Sequence, residues 1–227
     1  MHSHKAAARV FGIFFILTFL SYGIGSGLVD SVVSSPNYLS NIHTNKITVL
    51  VGVILMALVH TFFNIGLPVI MLPILKPFNR YLTYGYLSAA IAATVVLVIG
   101  AIFLLLLLPL SDEFVKAGSI TASNYESMGI LLKKGGAFSY QLGMALWGLG
   151  GLLFVSLLYI SRLVPRLFSY WGFIGYIVFV SGTILELFGN SVGVILSIPG
   201  GLFEIFLSFW LIVKGFNSSV IVSNPEK

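Results

Sequence analysis

Apolar residues run continuously through this chain instead of alternating, and the runs are long. Six stretches carry about 20 or more residues with almost no charge, the length a helix needs to cross the hydrocarbon core of a bilayer. They cover about 10–29, 47–75, 84–108, 137–160, 169–190 and 194–213. A helix satisfies its own backbone in lipid, whereas barrel strands would show a two-residue alternation. The pattern therefore predicts an all-α fold: a six-helix transmembrane bundle forming a single integral membrane domain over residues 1–227. Pro109 is expected to end the third span. The sixth is expected to start at Val194 or at Pro199, since proline suits a first helical position. The polar segments 30–46 and 110–136 carry no strand pattern and are read as caps or short surface helices.

Composition strengthens this picture. The chain is 58% hydrophobic and 8% charged, against about 25% charged in an ordinary soluble domain. It has too few polar residues to cover the surface of a soluble protein of this size. A soluble enzyme, a disordered chain and a nucleic-acid-binding domain are thereby excluded. The net charge of +5 is spread singly or in pairs rather than as a basic patch. The cations instead report orientation. Lys5, Arg9, Lys76, Arg80, Arg162, Arg166, Lys214 and Lys227 fall on one side of the predicted spans. Lys46, Lys116, Lys133 and Lys134 fall on the other, diluted by Asp30, Asp112, Glu113 and Glu126. Both termini are therefore expected in the cytoplasm. Lys133 and Lys134 are the discordant pair, kept wet by snorkelling. The first stretch has the basic start of a signal peptide. Its apolar run exceeds the roughly 7–15 residues of a signal core, so it is read as a retained span.

The loop after the fourth span reads Ser161-Arg162-Leu163-Val164-Pro165-Arg166-Leu167-Phe168-Ser169-Tyr170-Trp171-Gly172. Pro165 separates the two helices because it cannot donate an interior hydrogen bond. Arg162 and Arg166 belong at the phospholipid headgroups, with Trp171 in the aromatic belt. Topology and anchoring suffice to explain this loop, and binding of an anionic lipid or ligand is the sharper reading. Together with Leu75-Lys76-Pro77-Phe78-Asn79-Arg80 and with Glu204 followed by Phe209-Trp210-Leu211-Ile212-Val213-Lys214, it resembles the bacterial membrane proteins grouped as domain of unknown function family 4386. The likeness runs from about Ala8 to Asn217. It implies a six-helix integral membrane protein, and by its name no assigned activity. Many family members resemble one another in an Arg and a Glu within the third span, where this chain has Ala90 and Ala93.

Ionisable groups inside spans are rare, because each costs at least a few kcal/mol at the bilayer centre. His60 lies in the second span, with Asn64 one turn later and Pro68 one turn after that. Glu204 lies in the sixth span, and Glu186 with Asn190 at the end of the fifth. These five are the candidate ligand- or proton-binding residues. A carboxyl held out of water is protonated or paired. If Glu204 and His60 meet, they form a coupled pair suited to proton-linked binding. Glu204 is expected to face the bundle, with a polar partner from the second span or from the region of Gln141. No catalytic constellation and no metal-ligand spacing is present, Cys is absent, and no cofactor is expected. Met1-His2-Ser3-His4 is a weak metal lure on a chain end. Small residues at Gly85, Ala89 and Ala93, and at Gly23 and Gly27, mark faces for close helix packing.

Three functions compete at this point. A structural or regulatory membrane subunit without catalysis is favoured by the short loops and by the lack of any recognisable site. The alternative is a protein that binds or moves a small solute, ion or proton through an intramembrane Glu and His. An intramembrane enzyme comes third. Expected partners are membrane lipids and a second copy or another membrane protein, with no nucleic acid. The expected location is the cell membrane.

Overall fold

A computed structural model describes residues 2–117 and 122–217. Met1 and Lys227 lie outside the described residues, as do the side chains of His2 and Ser3. Every described element is helical. Helix α1 is His2–Val33, α2 is Tyr38–Thr44, α3 is Lys46–Ile54 and α4 is His60–Leu75. A π-helical segment, Leu55–Val59, joins α3 to α4. Then come α5 (Arg80–Ala117), α6 (Ala122–Ser161), α7 (Arg166–Leu187) and α8 (Gly193–Val213). With α3 and α4 taken as one rod, six helices are long and apolar enough to cross a membrane. Large apolar side chains such as Leu58, Phe62, Ile174 and Phe209 stay exposed on them, as a lipid-facing surface requires.

The spans are longer than the apolar runs suggest. Helix α5 continues through Pro109 to Ala117 and has 38 residues. At about 1.5 Å per residue this is roughly 57 Å, nearly twice the hydrocarbon core. Proline removes only one backbone donor, and the rest of the ladder carries the helix past it. Helix α6 starts at Ala122, so 110–117 and 122–136 form the ends of two long helices rather than caps. Their apolar stripes explain why: Leu110, Phe114, Tyr125 and Leu132 join one hydrophobic core. Helix α8 starts at Gly193 and Pro199 lies inside it, which settles the start of the sixth span near Val194.

The contacts fall into two compact units. The first comprises Met1–Leu17, Phe63–Thr94 and Gln141–Lys227. Its core is aromatic and aliphatic, with Phe11, Phe15, Phe154, Phe203 and Tyr176 fully buried. The stripe on α5 faces α6: a Cβ on Gly85 would meet Leu153, and one on Gly150 would sit 3.0 Å from the Ala89 Cβ. Ala90 and Ala93 are completely buried. Helices α7 and α8 cross backbone to backbone, since a Cβ on Gly175 would lie 3.0 Å from the Gly200 Cα. At one end of this unit Arg9 Nε donates to the Ile212 carbonyl at 3.2 Å, and the Asn217 N–H donates to Leu163 O at 2.8 Å. The start of α1, the end of α8 and the α6–α7 loop thus share one end.

The second unit comprises Thr18–Phe62 and Val95–Tyr140. Here the expected contact face of α1 is wrong. Gly23 and Gly27 have open space around them, and the close approach is made by Gly25 instead. A Cβ on Gly25 would lie 2.6 Å from the Gly52 carbonyl oxygen, so these backbones touch. Lys133 has a role beyond snorkelling: its Nζ donates to the Val33 carbonyl at 2.8 Å, at the end of α1, and lies 4.5 Å over the Tyr38 ring. A cation at a helix C-terminus satisfies carbonyls that have no intrahelical donor. Asp112 accepts from His43 Nδ1 at 2.7 Å and pairs with Lys46, fastening α2 and α3 to α5.

Candidate functional site

Glu204 sits near the middle of α8, and its side chain is buried in the first unit. Its Oε1 accepts two hydrogen bonds, from the Tyr176 hydroxyl at 2.7 Å and from Trp147 Nε1 at 3.1 Å. The partners come from α7 and α6. The fourth span does supply a partner, but through Trp147, six residues after Gln141, and not through Gln141 itself; the second span supplies none among these bonds. The cluster is built by shape. A Cβ on Gly151 would lie 2.4 Å from the Tyr176 ring, so only glycine leaves the ring its place. The Phe203 ring meets the Tyr176 ring edge-on at 5.7 Å, and Phe15 does the same to Trp147 at 6.1 Å. Both donors are neutral, and no ion pair among the described residues involves Glu204. The Tyr86 hydroxyl, from α5, is buried in this unit without a hydrogen-bond partner.

His60 belongs to the second unit. Its Nδ1 lies 3.2 Å from the Thr18 carbonyl oxygen. A carbonyl only accepts, so Nδ1 carries the proton. Nε2 is buried without a partner. The Tyr22 ring covers the imidazole edge-on at 5.1 Å. The π-helical segment ends just before His60 and inserts an extra residue in its turn, which resets the phase of the helix. Asn64 follows on α4, and its Nδ2 donates to Thr94 Oγ1 of α5 at 2.8 Å. His60 and Asn64 therefore hold different neighbours, α1 and α5. Glu204 and His60 each take their hydrogen bonds inside their own unit.

Glu186 and Asn190 do local work at the α7–α8 turn. Glu186 Oε1 accepts from the Gly193 N–H at 2.8 Å, satisfying the first amide of α8. Gly189 takes a positive φ of 86° to make that turn. Trp171 donates through Nε1 to the Pro199 carbonyl at 3.0 Å and so ties α7 to α8.

Arg162, Pro165 and Arg166 line a cavity of about 570 Å³, together with Trp210 of α8 and with Lys214 and Phe216 just after it. Arg162 has a positive φ of 54°, the one non-glycine residue with such a backbone among the described residues. That conformation costs a side-chain-bearing residue on the order of 1–3 kcal/mol. Pro165 sits at the N-cap of α7, where its fixed φ suits the turn.

The sequence singled out Glu204, His60 and Asn64 but not the groups that hold them. Trp147 and Tyr176 carried a signal: each puts a polar tip at the middle of a span rather than in an interfacial belt, and such a tip needs a partner. Thr18 carried none, since it contributes a backbone oxygen. Lys214 was read for orientation alone. A family model described as Domain of unknown function (DUF4386) matches residues 10–215. No curated protein and no solved structure matches the chain.

Proposed function

This chain belongs to the family described as domain of unknown function (DUF4386), and from that premise we propose that it is a structural or regulatory membrane subunit without catalysis. Its six apolar helices make it a multi-pass membrane protein. One observation carries the proposal: Glu204, Asn64 and His60 each bond a neighbouring helix. Glu204 joins α8 to α6 and α7. Asn64 joins α4 to α5, and His60 joins α4 to α1. Such bonds specify helix packing where the hydrophobic effect gives no direction. A hydrolytic or transfer reaction needs a nucleophile beside a base that a substrate can reach; the Tyr176 hydroxyl beside Glu204 is buried, with its ring packed against Gly151 and Phe203.

A second reading is favoured by the unpartnered Nε2 of His60 and hydroxyl of Tyr86. These leave hydrogen-bonding capacity for a proton or a small cation moving through the protein. Flux measurements separate the two. The protein is reconstituted in vesicles with a trapped pH dye and an imposed proton gradient. The packing reading expects decay no faster than in protein-free vesicles, and no difference on Glu204→Gln. Faster decay that Glu204→Gln abolishes would establish the transport reading in its place.

We also place the protein in the cell membrane, with both termini in the cytoplasm and lipids as its constant partners. The cation asymmetry supports this orientation. Single cysteines introduced at Asn124 and at Asn217 in intact cells test it. An impermeant thiol reagent should label the first and not the second; the reverse pattern would invert the topology.

A further inference from the structure

We propose that the cavity at the α6–α7 loop binds a phosphate-bearing anion, with the headgroup of an anionic membrane lipid as its natural source. Three cationic residues from two separate stretches of chain line it: Arg162 and Arg166 from the loop and the start of α7, and Lys214 just after α8; the Arg166 guanidinium also lies 5.3 Å over the Tyr159 ring. None of the three has an ion pair with a carboxylate among the described residues. The described carboxylates of this unit, Glu186 and Glu204, are committed to Gly193 and to the Trp147–Tyr176 pair. Three like charges around one cavity repel one another, and a bound anion removes that cost.

The shape suits the same ligand. A volume of about 570 Å³ lies within the roughly 300–1,000 Å³ usual for small-molecule sites. Trp210 and Phe216 supply apolar wall beside the cations, as a lipid with a charged head and apolar acyl chains requires. Basic pockets between the ends of membrane helices suit lipid headgroups in this way. Guanidinium forks match phosphate oxygens in pairs. The chain past α8 is tied to the loop within the lining: the Asn217 N–H donates to Leu163 O, and Gly215 turns the chain out of α8 with a φ of 76°.

Arg162 supplies an independent argument. Its backbone adopts a conformation that glycine takes without strain. The chain keeps an arginine there, with its side chain exposed on the cavity wall. Backbone strain retained under a charged side chain points to a role for that side chain. The proposal goes beyond the packing role of Glu204 and does not rest on it.

Arg162 also makes the test clean, because Arg162→Gly removes the cation and relieves the backbone together. The full-length protein in a neutral detergent is titrated with dioleoyl phosphatidylglycerol, with dioleoyl phosphatidylcholine and with inorganic phosphate, and thermal unfolding is followed. Phosphatidylglycerol should raise Tm well beyond phosphatidylcholine. Arg162→Gly should fold with a Tm at least equal to the parent's in detergent alone, yet bind phosphatidylglycerol about tenfold more weakly, the loss of one charge-assisted hydrogen bond. Arg166→Gln and Lys214→Gln should weaken binding similarly. A full shift from inorganic phosphate alone would support the phosphate site and assign its source to the free ion. No shift from either phosphate source, or a phosphatidylglycerol shift that survives in Arg162→Gly, would overturn the proposal.

Discussion

Glu204→Leu should destabilise the folded protein by about 1–3 kcal/mol, whereas Glu204→Gln should cost less than about 1 kcal/mol. The difference between the two variants comes from which groups are left unpaired. Leucine fills much of the space but offers no acceptor to the Tyr176 hydroxyl or to Trp147 Nε1. A buried donor left unsatisfied costs about 1–3 kcal/mol in a soluble protein. In a membrane the unfolded reference also finds partners, and single interhelical bonds average about 0.6 kcal/mol. Two lost bonds therefore give the lower part of the combined range. Glutamine keeps an oxygen at the same reach, so both donors stay paired. Reversible unfolding in mixed micelles measures the difference. The double variant Glu204→Leu with Tyr176→Phe removes donor and acceptor together, and should recover about half of the loss. An unchanged stability in Glu204→Leu would mean that the carboxyl joins nothing.

Gly25→Val should be more damaging, on the order of 3 kcal/mol, and should deplete the folded protein from membranes. The reason is backbone contact. The added Cβ would stand 2.6 Å from the Gly52 carbonyl oxygen and 2.7 Å from Met56 Cγ. A flexible side chain can swing away from such a clash, but a helix carbonyl cannot without parting the two helices. Over-packing of a core costs about 1–3 kcal/mol even where side chains can yield. Gly23→Val, two residues away on the open face, should cost little beyond helix propensity. The pair is a direct comparison of faces on α1, read by expression level and by thermal unfolding of whatever folds. Equal behaviour of the two variants would show that the Gly25–Gly52 contact is unimportant.

Much of the architecture was legible because the bilayer is a strict solvent. It demands about 20 apolar residues per helix, and the six runs met that demand at the right places. The start of α8 was ambiguous only because proline is tolerated both at a first helical position and inside a helix. The extensions of α5 past Pro109 and of α6 back to Ala122 were missed for another reason. Those segments carry enough polar residues to look like loops, and their helical stripe is made by a few positions, such as Phe114 and Leu132, that matter only once they pack. Contact faces were readable in part. The small residues on α5 do face α6, but on α1 the wrong glycines were chosen, because spacing alone cannot tell which side of a helix meets a neighbour.

By itself the sequence determined the solvent, the number of spans and the rarity of Glu204, His60 and Asn64, all of which follow from transfer free energy per residue. It also determined that the chain has no cysteine chemistry. Tertiary structure alone decided what each polar group does. Trp147, Tyr176 and Glu204 lie far apart along the chain and meet only through the α6–α7–α8 packing, with Gly151 leaving room for the tyrosine ring. The phase of His60 is set by a π-helical segment that no residue pattern announced. Arg162, Arg166 and Lys214 read as separate topology markers until the end of α8 folds beside the α6–α7 loop. The physical reason is common to all three. Solvation acts on each residue where it stands in the sequence, whereas hydrogen bonds and charge clusters depend on distances of a few ångströms that only the assembled helices fix.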